Sequence, residues 1–414
     1  MLDLSLRKFP GRLTPLALGL GLALLAGPSC DNLLSLECDS RDGLCNPALA
    51  FALYAPDPCL LSREQLIQPA FWPLVENHLR TQAALGRTGP ASASTFAAPA
   101  AGTDKWYGGV LSPQGLIYGF PFDQANILLI DPNNDATGLI PSPGSGANDF
   151  IGGAVGLNGK IYGVPWSEPG VLVFDPATNA TTTIVAPGTG TSDWKGGVLA
   201  PNGKIYGIPN DNATTSVLVI DPATNTVATI PHVGATPDDY WSGVLAPNGK
   251  IYAIPRDAAT ILVIDPVANT TYTLASPGAG TSKWTGGVLA PNGKIYGMPL
   301  SETSVLVIDP FTDTTSTFSV TTGGYQGGVL GSDGRIYGIP NTAGDVLIID
   351  PDTENFERIN GVGAGAFEWN DGVLAANGFI YGIPSNSPLV LKIATGAQGR
   401  FCDAVSRAGY WNQF

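Results

Sequence analysis

One twelve-residue stretch, GGVLAPNGKIYG, occurs word for word at 196–207 and again at 286–297, with SGVLAPNGKIYA between them at 242–253. The tyrosine of the stretch marks seven copies, Tyr118, Tyr162, Tyr206, Tyr252, Tyr296, Tyr337 and Tyr381, spaced 44, 44, 46, 44, 41 and 44 residues apart. A unit this short cannot bury a core alone, so neighbouring copies must cover one another's faces. The period lies in the range of propeller blades.

Each unit contains four strand signals. The clearest copy reads WKGGVLA (194–200), KIYGIP (204–209), SVLVID (216–221) and TVATI (226–230). PNG between the first two is hairpin chemistry, because Asn and Gly accept positive φ. DPATN between the last two is type I turn chemistry, with Pro pre-setting φ at the second position. The Gly pair before VLA suits an innermost strand, where blades crowd the axis and side chains do not fit. Abundant Gly (53) and Pro (35), with only 13% charged residues, fit many short strands and tight turns. The predicted fold is all-β: a seven-bladed β-propeller of four-stranded antiparallel blades, preceded by a small N-terminal segment.

The unit resembles the kelch repeat in its GG pair, its IYG strand and its VLVIDPATNT strand and turn, although IP replaces the second kelch Gly pair. It is less closely similar to the streptogramin-lyase propellers, which share the strand–turn rhythm. The resemblance spans about 94–395 and implies a fold more than a function, since propellers host many activities. The seam is also legible. Blade seven has no DP turn and no fourth strand, while STFAAPAAGTDKW (94–106) matches a fourth strand and its exit loop. The N-terminal piece is therefore expected to complete blade seven. Five middle blades carry Lys or Arg after the PNG turn, whereas blades one and seven carry Leu116 and Phe379. An apolar docking patch for the N-terminal segment and the tail is expected there.

Residues 1–29 read as a signal peptide. Arg7, Lys8 and Arg12 form a basic n-region, and LTPLALGLGLALLAG (13–27) is an apolar run too short for a stable span. The stretch ending in GPSC resembles bacterial lipoprotein signals, although Gly27 stands where they usually carry Leu; the resemblance implies lipidation of Cys30 and a lipid anchor in the cell envelope, with secretion as the alternative. Residues 30–92 form a small, partly helical segment, 93–400 the propeller and 401–414 a C-terminal tail. The other four cysteines allow three connectivities, of which Cys59–Cys402 across the seam with Cys38–Cys45 locally is expected. An even count in an exported chain favours disulfides, and no CxxC spacing points to zinc.

Function is read from what varies. The PNG and DPxTN turns are nearly identical between copies and lie on one face, the bottom. The loops between strands two and three, and those leading into strand one, differ from blade to blade, so the top face carries any binding site. Candidate ligand-binding residues there are Trp106, Phe122, Trp166, Tyr240, Trp241, Arg256, Trp284 and Trp369. An aromatic precedes every inner strand (Trp106, Phe150, Trp194, Tyr240, Trp284, Tyr325 and Trp369), either as a collar that stacks on ligand or as core between blades. Asp104, Asp149, Asp193, Asp238, Asp239 and Glu368 enrich the top in acids. The lyase resemblance implies a central His, and His232 with Glu168, Glu302 and Glu368 are the residues available. No G-x-S-x-G or HExxH occurs. No catalytic residue, metal or cofactor is assigned. A net charge of −14 argues against nucleic acid. The expectation is a monomeric, non-catalytic propeller, anchored through Cys30, that binds a protein, peptide or glycan on its top face. A metal-assisted lyase or hydrolase and a structural surface protein are the alternatives.

Overall fold

The structure is a computed structural model that describes residues 63–77, 80, 89–188, 192–210, 216–233, 240–363 and 365–395. Every cysteine lies outside the described residues, as do His78, Asp238 and Asp239. The lipidation and disulfide expectations therefore fall outside them too.

Seven four-stranded antiparallel sheets form the propeller. In blade three the strands are Trp194–Leu199, Ile205–Pro209, Ser216–Asp221 and Thr226–Pro231, in that spatial order. The hairpin Gly of all seven inner turns has φ between 79° and 85°, which explains why no other residue stands there. Side chains of the second and third strands are buried on both faces, so these strands do not alternate. Val217, Leu218 and Ile220 are each fully buried. Only the outer strand alternates between exposed and half-buried positions. Inner strands touch their neighbours all round, from Trp106–Leu111 through to Trp369–Leu374 and back. At this crowded axis a methyl on Gly197 would lie 2.9 Å from the Gly153 Cα. The sequence keeps glycine there for that reason.

Adjacent blades are also tied together along the bottom. The Asn of each PNG turn donates to its own Tyr hydroxyl and to the Pro carbonyl of the next blade's DP turn. Asn202 Nδ2 lies 2.8 Å from Tyr206 Oη and 3.0 Å from Pro266 O. Asn158 reaches Pro222 O, Asn248 reaches Pro310 O and Asn292 reaches Pro351 O at 2.8–2.9 Å. Asn377 of blade seven reaches Pro132 O of blade one at 2.7 Å, which carries the tie across the seam. Blade six departs from the pattern: Tyr337 donates both to Asp333, which replaces the Asn, and to Thr395 O, where blade seven lacks its DP turn. Blade one has Gln114 at this position. Burial raises the pKa of these tyrosines, that of Tyr296 to about 12. They therefore remain neutral donors at ordinary pH.

Ser92–Ala97 pairs antiparallel with Leu389–Ala394 and supplies the outer strand of blade seven. Within the preceding segment, Arg63–Leu66 and residues 72–77 are helical and Pro69–Phe71 forms a 3-10 turn. Ile67, Phe71, Trp72, Leu74 and Val75 are buried. This segment lies against the bottom turns: Gln68 Nε2 donates to Pro201 O at 2.8 Å, Pro69 lies beside Gly249, and Arg80 approaches Asp352 at 3.5 Å. These anchor points are on blades three, four and six. The patch expected at Leu116 and Phe379 is used otherwise. Leu116 packs on the Tyr118–Phe174 cluster, and Phe379 packs on the Trp106–Tyr381 cluster with Lys392 over its ring at 4.4 Å. Apolar residues at those two turns thus extend the blade cores.

Asn202→Ala should lower stability by about 1–3 kcal/mol, because it strips a buried carbonyl and a buried hydroxyl of a partner. Gln114→Ala in blade one should cost clearly less. Denaturant unfolding of both variants decides this, and equal losses would show that the tie carries no special weight.

Candidate functional site at the channel mouth

The residue that leads each inner strand is core. Trp106, Trp284 and Trp369 are buried, and their indole nitrogens donate to Asn126 O, Ser304 O and Leu389 O at 2.7–2.8 Å. Each acceptor opens the third strand of the same blade, so these rings brace the blade from within. Tyr240 is buried likewise, with its hydroxyl 3.3 Å from Thr260 Oγ1. Of the two readings of the aromatic set, the geometry of these four is that of core.

The residue just before the leading aromatic fastens the loop above it. Asp149, fully buried, accepts from the backbone nitrogens of Ser145, Gly146 and Ala147 and from the Ser145 hydroxyl. Glu368 accepts from Gly365 N in blade seven. Where the sequence has Lys, the polarity of the tie inverts. Lys105 Nζ donates to the carbonyls of Gly102, Ser385 and Ser387, and Lys283 Nζ to those of Ala258 and Gly280. Burial pulls the Lys105 pKa down to about 8. Asp149 and Glu368 are thus engaged in shaping loops.

The residue just after the leading aromatic is different in every blade: Tyr107, Ile151, Lys195, Trp241, Thr285, Gln326 and Asn370. By the repeat these seven stand at one level around the axis. The first residue after the second strand stands above them, and the two sets meet over blades one to four. Tyr107 stacks on Phe122 with ring centroids 4.6 Å apart, and Phe122 with Ile151 gathers Tyr107, Trp166 and Trp241. Lys195 Nζ lies 4.4 Å from the Trp166 ring centre and 3.4 Å from that of Trp241. Arg256 lies 4.7 Å from the Trp241 ring on its guanidinium carbon and pairs with Asp257 at 3.6 Å. Such cation–aromatic contacts hold both partners in place. Phe122, Trp166, Trp241 and Arg256 are therefore brought together, while Trp106, Tyr240, Trp284 and Trp369 stand apart from them inside the blades. Tyr107 and Lys195 belong to the group and were missed. Their signal was the one variable position inside an otherwise repeated strand.

Blades five to seven close the mouth with amides and hydroxyls. Asn341 Nδ2 donates to Trp369 O at 3.1 Å and to Asn370 Oδ1 at 2.8 Å, and Thr285 Oγ1 donates to Tyr325 O at 2.9 Å. His232 follows the outer strand of blade three, with its ring edge-on to Tyr240 at 6.5 Å. Glu168 accepts from Ser145 N at 2.9 Å. No group of three metal-ligating side chains occurs among the described residues.

No family model and no curated protein matches this sequence. Solved structures match the fold. A streptogramin B lyase is similar with a TM-score of 0.64 and 13% identity over 73% of this chain and 97% of that one. A catalytically inactive virginiamycin B lyase from Staphylococcus aureus with quinupristin gives 0.63 and 11% over 74% and 99%. The extracellular domain of a one component system from B. thetaiotaomicron gives 0.57 and 11% over 73% of this chain and 42% of that one. At these identities the likeness establishes a seven-bladed propeller and nothing finer.

Trp284→Ala should cost about 3–5 kcal/mol of stability, as for a large core side chain. Trp166→Ala, at a half-buried position, should cost markedly less. Thermal or denaturant unfolding measures both. A Trp284 variant as stable as the parent would remove that residue from the core.

Proposed function

We propose that this chain is a non-catalytic binding propeller, monomeric and exported. A lipid on Cys30 would hold it at the cell envelope, where its top mouth takes a protein, peptide or glycan. The observation that carries the reading is the gathering of Phe122, Trp166, Trp241 and Arg256 at the mouth of blades one to four. Large half-buried aromatic rings beside fixed cations are the composition of interface hot spots. Phe122, Trp166 and Arg256 stand on loops that differ between copies and Trp241 at the variable position of an inner strand, whereas the bottom turns are spent on joining the blades. The likeness to an extracellular domain fits an exported protein, and the net charge of −14 leaves nucleic acid unsupported. The lyase likeness keeps a second reading in view, a lyase or hydrolase at the same mouth. Its motivating residue, His232, sits beside Tyr240 at the end of an outer strand.

Glycan and peptide arrays probed with the purified propeller should yield a bound class whose affinity falls about tenfold or more in Trp166→Ala and Arg256→Ala. Binding indifferent to both variants would move the site elsewhere, and an absence of any binder would favour a structural role. Turnover of a bound compound that is lost in His232→Ala would replace the binding reading by the enzymatic one.

The anchor has its own test. Labelled palmitate fed to the native host should mark the protein, and Cys30→Ser should remove the label and release the chain. An unlabelled parent protein would refute anchoring while leaving the mouth unaffected.

A further inference from the structure

The inner layer of the mouth keeps polar atoms that the fold does not satisfy. Trp241 Nε1, Ser242 Oγ, Gln326 Nε2, Asn341 Oδ1 and Asn370 Nδ2 are covered and make no hydrogen bond among the described residues. Ser242, Gln326, Asn341 and Asn370 are each at most 4% exposed. The Asn370 amide also acts on the Tyr107 hydroxyl. A buried donor or acceptor without a partner costs about 1–3 kcal/mol, so several of them on the inner strands and the loops just above need a reason.

One layer deeper, the first Gly of the repeated pair has positive φ in five blades: Gly108, Gly152, Gly196, Gly286 and Gly327. Only Ser242 and Asp371 bring side chains into this layer. Asp371 adopts φ 68°, a left-handed conformation that a non-glycine residue enters at a cost. Its backbone crowds Gly327, where a methyl would lie 2.7 Å from the Asp371 Cα. Burial also pushes its carboxyl well above the usual range, toward the uncharged form. Blade seven thus keeps the positive φ of this position with a side chain in place of glycine, and it does so beneath the unpartnered amides.

We propose that this layer is the floor of a carbohydrate site, which receives the terminal neutral pyranose of a glycan among Trp241, Ser242, Gln326, Asn341, Asn370 and Asp371. The inference rests on reading the top mouth as the binding face. Hydroxyls both donate and accept, which matches two or more donors, the Asn341 acceptor and the Ser242 hydroxyl together. A carboxylate ligand would leave Asn341 Oδ1 unmatched. The aromatic wall of Tyr107, Phe122, Trp166 and Trp241 suits the C–H face of a sugar ring. The polar atoms are covered while Trp241 leans over Lys195 and onto the Phe122 cluster, so binding turns the Trp241 side chain off that seat. The Lys195 charge keeps its contact with the Trp166 ring, 4.4 Å from its Nζ.

Calorimetry and tryptophan fluorescence with glucose, galactose, mannose and N-acetylglucosamine, and with oligosaccharides ending in each, test the site. At least one sugar should bind and change the Trp241 signal, which Trp241→Phe would remove. Ser242→Ala and Gln326→Leu should weaken it by roughly tenfold or more. The same two variants and Asp371→Gly should melt at or above the parent temperature, because each removes an unsatisfied or strained group. No sugar binding, or sugar binding unchanged in Ser242→Ala and Gln326→Leu, overturns the site. So does a lowered melting temperature in all three variants with binding intact. A peptide or protein bound in a Trp166-dependent but Gln326-independent manner would overturn the carbohydrate site and leave the binding propeller standing.

Discussion

The tie between the PNG asparagine, the IYG tyrosine and the next blade's proline carbonyl is what the rest of the structure depends on. A four-stranded sheet alone has two apolar faces and two open edges, and is stable only against neighbours. Side-chain packing brings the blades together, but it is not directional. The Asn202–Tyr206–Pro266 geometry is directional, and its repetition in five of the seven blades fixes their height and rotation on the next. Because Asn377 and Tyr381 reach Pro132, the last blade is tied to the first in the same way.

That arrangement divides labour between the two faces. The bottom is committed to structure, and the N-terminal segment lies on it through Gln68 and Pro69. The top is free to vary, but only within limits. Its acids and lysines at the loop bases, Asp149 and Lys105 among them, are consumed in holding loops. What is left for recognition is a narrow set: the side chain after each leading aromatic, and the side chain after each second strand.

Within that set the mouth is asymmetric although the scaffold is repetitive. Blades one to four supply rings and cations, and blades five to seven supply amides and a carboxyl whose pKa burial raises. A repeated fold that departs from its repeat at neighbouring positions concentrates its unfavourable features there. Asp371 and Gln326 carry such features, strain in one and an unpartnered amide in the other.

The sequence by itself determined the blade number, the four strands of each blade and the turn types. These follow from local periodicity and from residues such as Gly203 and Pro222 whose backbone preferences act within a few positions. It also showed that an outer strand was missing from blade seven. The tertiary structure alone decided which of the recognisable residues stand at the mouth and which stand inside a blade. Trp106 and Trp241 are both tryptophans near the start of an inner strand, yet one is braced inside its blade and the other leans over the mouth. The difference arises at the bulge that shifts register between the leading aromatic and the second glycine, at Trp106/Gly109 and again at Tyr240/Gly243. A bulge sends consecutive side chains in directions that strand periodicity does not predict. The asparagine of PNG was legible as a turn residue for the same local reason. Its second role, donating to the next blade, depends on a partner about sixty residues away that only the closed ring brings near.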